Sequence, residues 1–263
     1  ISHGLIEGTV ELKPDRRNPI PADPHEFRAG GFARFTYDTK EKSVHISAPD
    51  LQTEFGQLSN LRVDITPNEK TELLVDLQST LKESAFLDKY STFYINLPLA
   101  QWKLSGGNGS ANLHLEKIKG HFFITSDLLL RDFYSCGEKI SALKGHIQTE
   151  KEITTGVFNF YDKDLQGEAQ LRLNSKADAY TIRFDDLRGE SKKLLNILEI
   201  DLDLQGRARG NFTYSDNSEN PGPMLTGTFQ ADNLRFYGFE FEKTRGSLTH
   251  KQSSDRNDCK GKR

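Results

Sequence analysis

The feature that most constrains this chain is a strict alternation of apolar and polar residues between Leu204 and Leu248. Three short runs in this stretch place an apolar residue at every second position, and each run begins near a glycine and ends in a turn-forming residue. Successive side chains of a β-strand point to opposite faces, so this period predicts strands with one apolar and one polar face. The stretch therefore predicts a sheet surface that is apolar on one side only.

The same pattern recurs along the chain, which predicts a repetitive β protein. The theme Leu-x-Gly-x-apolar-x-apolar begins at Leu104, Leu143, Leu204 and Leu225, and variants without the leading leucine begin at Gly31 and Gly120. Recurrence of one supersecondary unit favours an elongated array in which each unit covers its neighbour. We expect one continuous β-repeat domain over residues 1–250 and a disordered polar tail over residues 251–263.

Two short segments interrupt the strand pattern. The segment Ser191–Leu198 predicts a helix with Leu194, Leu195 and Leu198 on one side, and Ser191 is its candidate N-cap. The segment Leu81–Tyr90 is a second candidate helix. The expected fold class is therefore mainly β, elongated and repetitive, with one or two short helices.

The composition argues against several classes of function. Hydrophobic residues make up 35% of the chain and charged residues 28%, which suits sheets with one face in water. The net charge is −3 with acids and bases interspersed, so no basic surface predicts nucleic-acid binding. The sequence contains no run of about 18 apolar residues, so it predicts no membrane-spanning helix. The two cysteines, Cys136 and Cys259, do not make a disulfide framework.

No motif predicts catalysis, a metal site or a cofactor. The seven histidines form neither His-x-His nor His-Glu-x-x-His. The segment Asp162–Gly167 imitates the start of a calcium loop, but Leu173 occupies the twelfth position, where a glutamate is needed. We interpret it as a hairpin turn. The adjacent acids Asp185 and Asp186 are interpreted as residues of a solvated face, because no partner for acid–base chemistry is evident.

Three motifs carry a family resemblance. They are Leu204-x-Gly206-x-Ala208-x-Gly210, Leu225-x-Gly227-x-Phe229-x-Ala231-x-Asn233-Leu234, and Gly246-x-Leu248. Together with the helix expected before Leu204, they resemble the AsmA-like superfamily and, within it, the TamB-type translocation and assembly module proteins. The resemblance covers most of the chain between Gly31 and Thr249.

The resemblance implies a long, curved sheet shaped like a trough (a β-taco) in the periplasm of a diderm bacterium. Proteins of this kind are thought to guide phospholipid between the inner and outer membranes or to assist outer-membrane assembly. The implied partners are phospholipid acyl chains and an outer-membrane assembly barrel protein, without nucleic acid and without a cofactor. We expect this chain to be a non-enzymatic fragment of a longer protein that is anchored in the inner membrane.

An apolar groove would lower the cost of moving lipid through water. Each exposed methylene costs about 0.8 kcal/mol, so one ~16-carbon tail costs on the order of 12 kcal/mol. Strands that point every second residue inward supply such a groove. We predict that the groove is lined by Leu113, Leu115, Phe122, Ile124, Leu128, Leu130, Leu171, Leu173, Phe212, Tyr214, Phe229, Ala231, Leu234 and Phe236.

Two other functions remain open from the sequence. A structural or adhesive β-repeat scaffold would cover the same apolar face within a closed core, whereas an open groove would leave an apolar strip larger than a few hundred Å². A carbohydrate-active β-sandwich or β-helix enzyme would need a pocket with converging carboxylates or histidines. An open sheet also has unpaired edges, so we expect the isolated chain to self-associate.

Overall fold

The chain forms one antiparallel sheet of fourteen strands that follow each other in sequence order. The computed structural model describes residues 4–12, 29–53, 56–67, 70–82, 103–174, 176–177, 179–197, 203–217 and 220–251. The strands are β1 (Leu5–Leu12), β2 (Ala29–Asp38), β3 (Ser43–Thr53), β4 (Gly56–Ile65), β5 (Thr71–Leu81), β6 (Ser105–Ile118), β7 (His121–Ser135), β8 (Glu138–Glu150), β9 (Ile153–Tyr161), β10 (Leu165–Asn174), β11 (Ala179–Glu190), β12 (Leu204–Asn217), β13 (Asn220–Phe236) and β14 (Phe239–Lys251).

The sheet is elongated, curved and not closed, which confirms the predicted fold class. Every strand pairs only with its neighbours in sequence, so local hairpins account for the whole topology. The predicted alternation between Leu204 and Leu248 corresponds to β12, β13 and β14. Most of the polar residues between Tyr214 and Leu225 lie within strands, because β12 continues to Asn217 and β13 begins at Asn220.

Asparagine and aspartate residues with positive φ values lie at positions inside the strands where the backbone bends. Asn60, Asp132, Asp186 and Asn233 have φ values of 54°, 51°, 48° and 53°. These two residue types tolerate the left-handed conformation better than other non-glycine residues. The ladder shifts register beside Asn60, Asp186 and Asn233, and such bulges increase the local bend and twist of a sheet. The curvature is therefore encoded partly in these positions.

Among the described residues there is one helix, α1 (Ser191–Ile197), which lies between β11 and β12, as predicted. Leu195 is 5% exposed and belongs to the core, whereas Leu198 lies outside the described residues. The Ser191 hydroxyl donates to the Gly206 carbonyl oxygen at 2.6 Å, so it ties the start of the helix to β12. The second candidate helix is not borne out at its start, since Leu81 ends β5, and residues 83–90 lie outside the described part of the chain.

The contacts of α1 show how strongly the sheet curls at this end. The helix is bonded to Gly206 on β12 through Ser191 and to Glu138 at the start of β8 through Asn196. Four strand spacings separate β8 from β12, on the order of 19 Å in a flat sheet. Ser191 and Asn196 are only about 8 Å apart along a helix. The ends of β8 and β12 must therefore approach each other across the trough.

Candidate functional site: the inner face of the trough

One row of side chains runs straight across all fourteen strands and defines the inner face. Following the cross-strand partners from β1 to β14, the row comprises Leu12, Gly31, Leu51, Leu58, Ser79, Ala111, Leu128, Gly145, Phe158, Ala169, Phe184, Phe212, Gly227 and Leu248. Ser79 is its only polar member. The period-two pattern in each strand is thus aligned between strands, so a continuous and mainly apolar row crosses one face of the entire sheet.

Glycines on this face receive aromatic rings from the neighbouring strand. Gly145 lies directly opposite Phe158, and a Cβ atom at Gly145 would be 2.6 Å from Cδ1 of that ring. A Cβ atom at Gly227 would likewise be 2.6 Å from Cδ1 of Phe212. The recurring Leu-x-Gly theme therefore has a packing function, because the missing side chain leaves room for a ring to lie flat against the backbone.

Of the fourteen predicted lining residues, the register places twelve on the inner face, whereas Leu234 and Phe236 follow the bulge beside Asn233 and lie opposite Phe241 and Phe239 of β14. Eight of the fourteen are buried: Leu128, Leu130, Leu171, Leu173, Phe212, Tyr214, Ala231 and Leu234. Four are half-buried: Leu113, Leu115, Ile124 and Phe229. Two are exposed: Phe122 at 45% and Phe236 at 37%. The register gives the twelve a shared face, whereas the lipid-binding role of all fourteen stays a prediction.

Six of the eight buried members, all except Ala231 and Leu234, belong to one hydrophobic cluster. Leu130 is 1% exposed and Leu173 is 3% exposed, and both belong to one hydrophobic cluster that extends from β5 to β13. Leu195 of α1 belongs to the same cluster. In this conformation the inner face is closed over much of β7–β13, as expected for a scaffold with its own core.

The inner face is more open towards β1. Two neighbouring rows there contain exposed or half-buried side chains, and we call them the open strip. The open strip comprises Ile6, Tyr37, Val44, Ile65, Leu73, Lys117 and Phe122 in one row, and Gly8, Phe35, Ile46, Val63, Val75, Leu115 and Ile124 in the other. Lys117 is its one charged member and pairs with Glu72 at 2.9 Å.

The open strip is longer than the hydrocarbon depth of one bilayer leaflet. It crosses seven strands, and six strand spacings amount to about 29 Å. One leaflet of a bilayer has a hydrocarbon depth of about 15 Å, half of the ~30 Å core. Ile6 is 51% exposed and Ile65 is 38% exposed, so apolar surface faces water along this length. An extended acyl chain therefore fits within the strip.

Helix α1 is fastened over the opposite end of the trough by a buried ion pair. Lys193 Nζ donates to Asp162 Oδ1 at 2.8 Å, and the two side chains are 11% and 4% exposed. The other oxygen of Asp162 accepts from the Ser141 amide at 2.8 Å and from the Ser141 hydroxyl at 2.6 Å. The Asp164 amide donates to Oδ1 at 2.8 Å. We call this arrangement the latch.

The latch lowers the pKa of its carboxyl group. Burial raises the pKa of Asp162, but the hydrogen bonds from Lys193, Ser141 and Asp164 outweigh burial and hold the pKa well below its usual range. Asp162 is therefore ionised at neutral pH. The segment predicted as a hairpin turn joins β9 to β10, as expected, and Asp162 bonds to protein donors within it.

The outer face carries charged and polar cross-strand pairs. Three histidines lie directly opposite aspartates: His45 Nδ1 is 2.7 Å from Asp64, His114 Nδ1 is 2.5 Å from Asp76, and His146 Nδ1 is 2.8 Å from Asp127. The hydrogen bond that His114 donates to the Asp76 carboxylate raises the pKa of His114. These pairs stabilise the pairing of neighbouring strands on the solvent-exposed face.

The described residues bring together no cluster of three or more histidine, cysteine, aspartate or glutamate side chains suited to a metal ion. Asp185 bonds to Arg183 at 2.9 Å, and Asp186 bonds to Arg188. These adjacent acids occupy the bulge between β11 and β12, which gives them a structural role. Within the same part of the chain, no helix has the length and apolar character needed to cross a membrane.

Sequence reasoning missed two parts of this site. The residues of the open strip on β1–β5 were left out of the predicted lining, although the alternation Val44-His-Ile46 and Leu61-Arg-Val63-Asp-Ile65 was present. The latch was also missed, because Lys193 and Asp162 are far apart in the chain and neither stands in a motif.

Comparison with protein-family models, curated proteins and solved structures finds no match. The resemblance to the AsmA-like superfamily therefore rests on the quoted sequence motifs alone.

Proposed function

We propose that this chain is a non-enzymatic segment of a cell-envelope protein and that its open strip binds phospholipid acyl chains. The transfer of lipid between inner and outer membranes, or outer-membrane assembly with a barrel protein, is the process to which this binding would contribute. A periplasmic location, an inner-membrane anchor in the longer protein and membership of the TamB-type proteins belong to the same proposal.

The observation that carries the proposal is the continuous apolar strip on an open sheet. Soluble proteins rarely leave large contiguous apolar surfaces uncovered unless a partner binds there. The strip offers many apolar side chains and one charged residue, Lys117, which lies in the row nearest the turns. Such a lining holds an acyl chain without fixing its position, as a transfer path requires.

The experiment compares two arginine substitutions at adjacent residues of β7. Ile124 faces the strip and is half-buried, whereas Thr125 faces the opposite side of the sheet. The purified chain is incubated with vesicles of phosphatidylethanolamine and phosphatidylglycerol and re-isolated, and its bound phospholipid is measured by mass spectrometry. Ile124→Arg should lower loading by about fivefold or more, because desolvating a guanidinium against an acyl chain costs more than about 1 kcal/mol.

Thr125→Arg is the matched control and should load lipid like the unchanged chain. Circular dichroism and thermal unfolding establish that both variants are folded. Equal loading of the two folded variants would remove the open strip from the lipid path. The buried Leu173 is unsuitable for this test, since a charge at a side chain that is 3% exposed would unfold the sheet.

A structural scaffold is the second candidate, favoured by the closed packing of β7–β13. If the cluster around Leu130 only fills a core, no phospholipid will bind to the unchanged chain in the same assay. The proposed lipid function and the scaffold function therefore give opposite results.

A further inference from the structure

An ion pair lies beside the apolar side chains of the open strip. Lys117 of β6 belongs to the row nearest the turns, and its Nζ donates to Glu72 Oε2 at 2.9 Å. The two side chains are 35% and 32% exposed, so solutes reach both of them. The pairs of histidine and aspartate described above lie on the outer face, which is polar throughout. A charged pair that borders the apolar strip therefore calls for a separate explanation.

A backbone irregularity brings Glu72 to Lys117. Lys117 lies opposite Leu73 of β5. Its neighbour Ile118 lies opposite Thr71, so Glu72 is an extra residue on β5 and forms a β-bulge. Bulges change the direction in which a side chain points, and they often occur beside functional sites. This bulge supplies a carboxylate to a lysine that plain alternation would place among apolar side chains.

The ion pair lies near one end of the apolar strip. Four strand spacings, about 19 Å, separate β6 from β2. This length exceeds the ~15 Å hydrocarbon depth of one bilayer leaflet. In the other direction the inner face closes at β7, where Leu128 and Leu130 are buried. A lipid whose headgroup lies at Lys117 therefore has an apolar path for its tail across β5, β4 and β3.

We propose that Lys117 and Glu72 together bind the headgroup of a zwitterionic phospholipid of the phosphoethanolamine type, with the phosphate on Lys117 and the ammonium group on Glu72. This inference rests on the proposed lipid function and names the class of lipid that the strip favours. A lysine ammonium group donates to phosphate oxygens, and a carboxylate accepts from an ammonium group. Only two carbon atoms separate the phosphate ester from the ammonium group, so the two charges of the headgroup match two neighbouring side chains.

Headgroup binding exchanges one ion pair for two. Partly exposed ion pairs contribute little to stability, because water solvates both charges. Separating Lys117 from Glu72 therefore costs little, and each side chain gains a new partner of opposite charge. A phosphatidylglycerol headgroup offers a partner to Lys117 only, and it places a second negative charge beside the Glu72 carboxylate. The site thus discriminates against an anionic headgroup by repulsion.

The experiment measures the ratio of two bound lipids in one sample. The purified chain is incubated with vesicles of equal parts phosphatidylethanolamine and phosphatidylglycerol and re-isolated, and its bound lipids are quantified by mass spectrometry. The bound ratio of phosphatidylethanolamine to phosphatidylglycerol should exceed the vesicle ratio by about threefold or more. Glu72→Gln should lower the bound ratio by about threefold or more, because the repelling carboxylate is gone and the ammonium group loses its partner.

Two further variants separate headgroup binding from a structural role of the ion pair. Lys117→Gln should lower the loading of both lipids without favouring phosphatidylglycerol, since the phosphate loses its partner and Glu72 remains. The double substitution Lys117→Glu with Glu72→Lys keeps both charges in exchanged positions and should keep the preference for phosphatidylethanolamine. An ion pair that only stabilises the strands would change thermal unfolding in the single variants and leave the lipid ratio unaltered.

Asp132→Asn is the matched control. Asp132 pairs with Lys139 at 2.9 Å near the other end of β7, so this substitution also breaks an ion pair and makes the same change in net charge as Glu72→Gln. It should leave the bound ratio unchanged. Circular dichroism establishes that each variant is folded. A bound ratio equal to that of the vesicles, or an unaltered ratio in Glu72→Gln, would overturn the headgroup assignment and leave the acyl-chain proposal standing. A chain that binds no phospholipid would overturn both.

Discussion

The latch between α1 and the sheet offers the sharpest test of how the end of the trough is closed. We consider the substitution Lys193→Met, which keeps the aliphatic part of the side chain and removes its charge. A helix of seven residues is too short to be stable by itself, so contacts such as this one determine whether it stays docked. The substitution leaves the buried Asp162 carboxylate with Ser141 and Asp164 as partners.

The expected loss of stability follows from the burial of the ion pair between Lys193 and Asp162. Removing one partner of a buried ion pair costs about 3–5 kcal/mol in typical cases. Here three other hydrogen bonds to the carboxylate remain, and Lys193 is 11% exposed. We therefore expect Lys193→Met to lower the free energy of unfolding by about 2–3 kcal/mol at pH 7.

The loss of stability caused by Lys193→Met must also become smaller as the pH falls. The pKa of Asp162 is lower in the folded chain than its ordinary value of 3.8. Stabilisation by the carboxylate is therefore fully present above about pH 5 and is lost as the pH falls through 3.8 and below. The difference between the unchanged chain and Lys193→Met should shrink between pH 5 and pH 3.

Urea unfolding followed by circular dichroism at pH 7, 5, 4 and 3 measures both quantities. Lys192→Met is the matched control, because Lys192 is exposed on the same helix and its replacement should change stability by less than about 0.5 kcal/mol. Equal effects of the two substitutions at pH 7, or an effect of Lys193→Met that is the same at pH 3, would refute the reasoning.

Two further predictions concern the two faces of the sheet. Gly145→Ala should destabilise the chain by about 1–3 kcal/mol in urea unfolding, because its Cβ atom would meet the Phe158 ring. The same alanine should cost less in a Phe158→Leu background, and an equal cost would rule out this contact as the cause. On the outer face, His114 should titrate above its ordinary pKa of 6.5 in an NMR titration, and Asp76→Asn should lower the pKa of His114. Since the folded pKa is raised, the pair stabilises the chain below pH 6.5 and its contribution is lost as the pH rises, so an unchanged titration in Asp76→Asn would contradict the assignment.

Local alternation was sufficient to predict strands and their apolar sides. Twelve of the fourteen residues expected to share a face do so, because each strand orients its own side chains and neighbouring strands are in phase, whereas Leu234 and Phe236 follow the bulge beside Asn233. Helix α1 was also predictable, since Leu194 and Leu195 break the period of two.

Exposure along the inner face was not predictable in the same way. Leu173 and Ile124 have similar patterns in the sequence, yet Leu173 is 3% exposed and Ile124 is half-buried in the open strip. The difference arises from what lies across the trough, and a period of two contains no information about that distance.

The sequence by itself determined the strands, the face to which each side chain points, and the positions such as Asn233 where a strand can bend. Only the tertiary structure decided how far the sheet curls and which part of its apolar face is covered. The physical reason is range. Alternation and left-handed φ values act within a few residues, whereas the covering of the inner face also involves contacts such as Lys193 with Asp162, which are 31 residues apart.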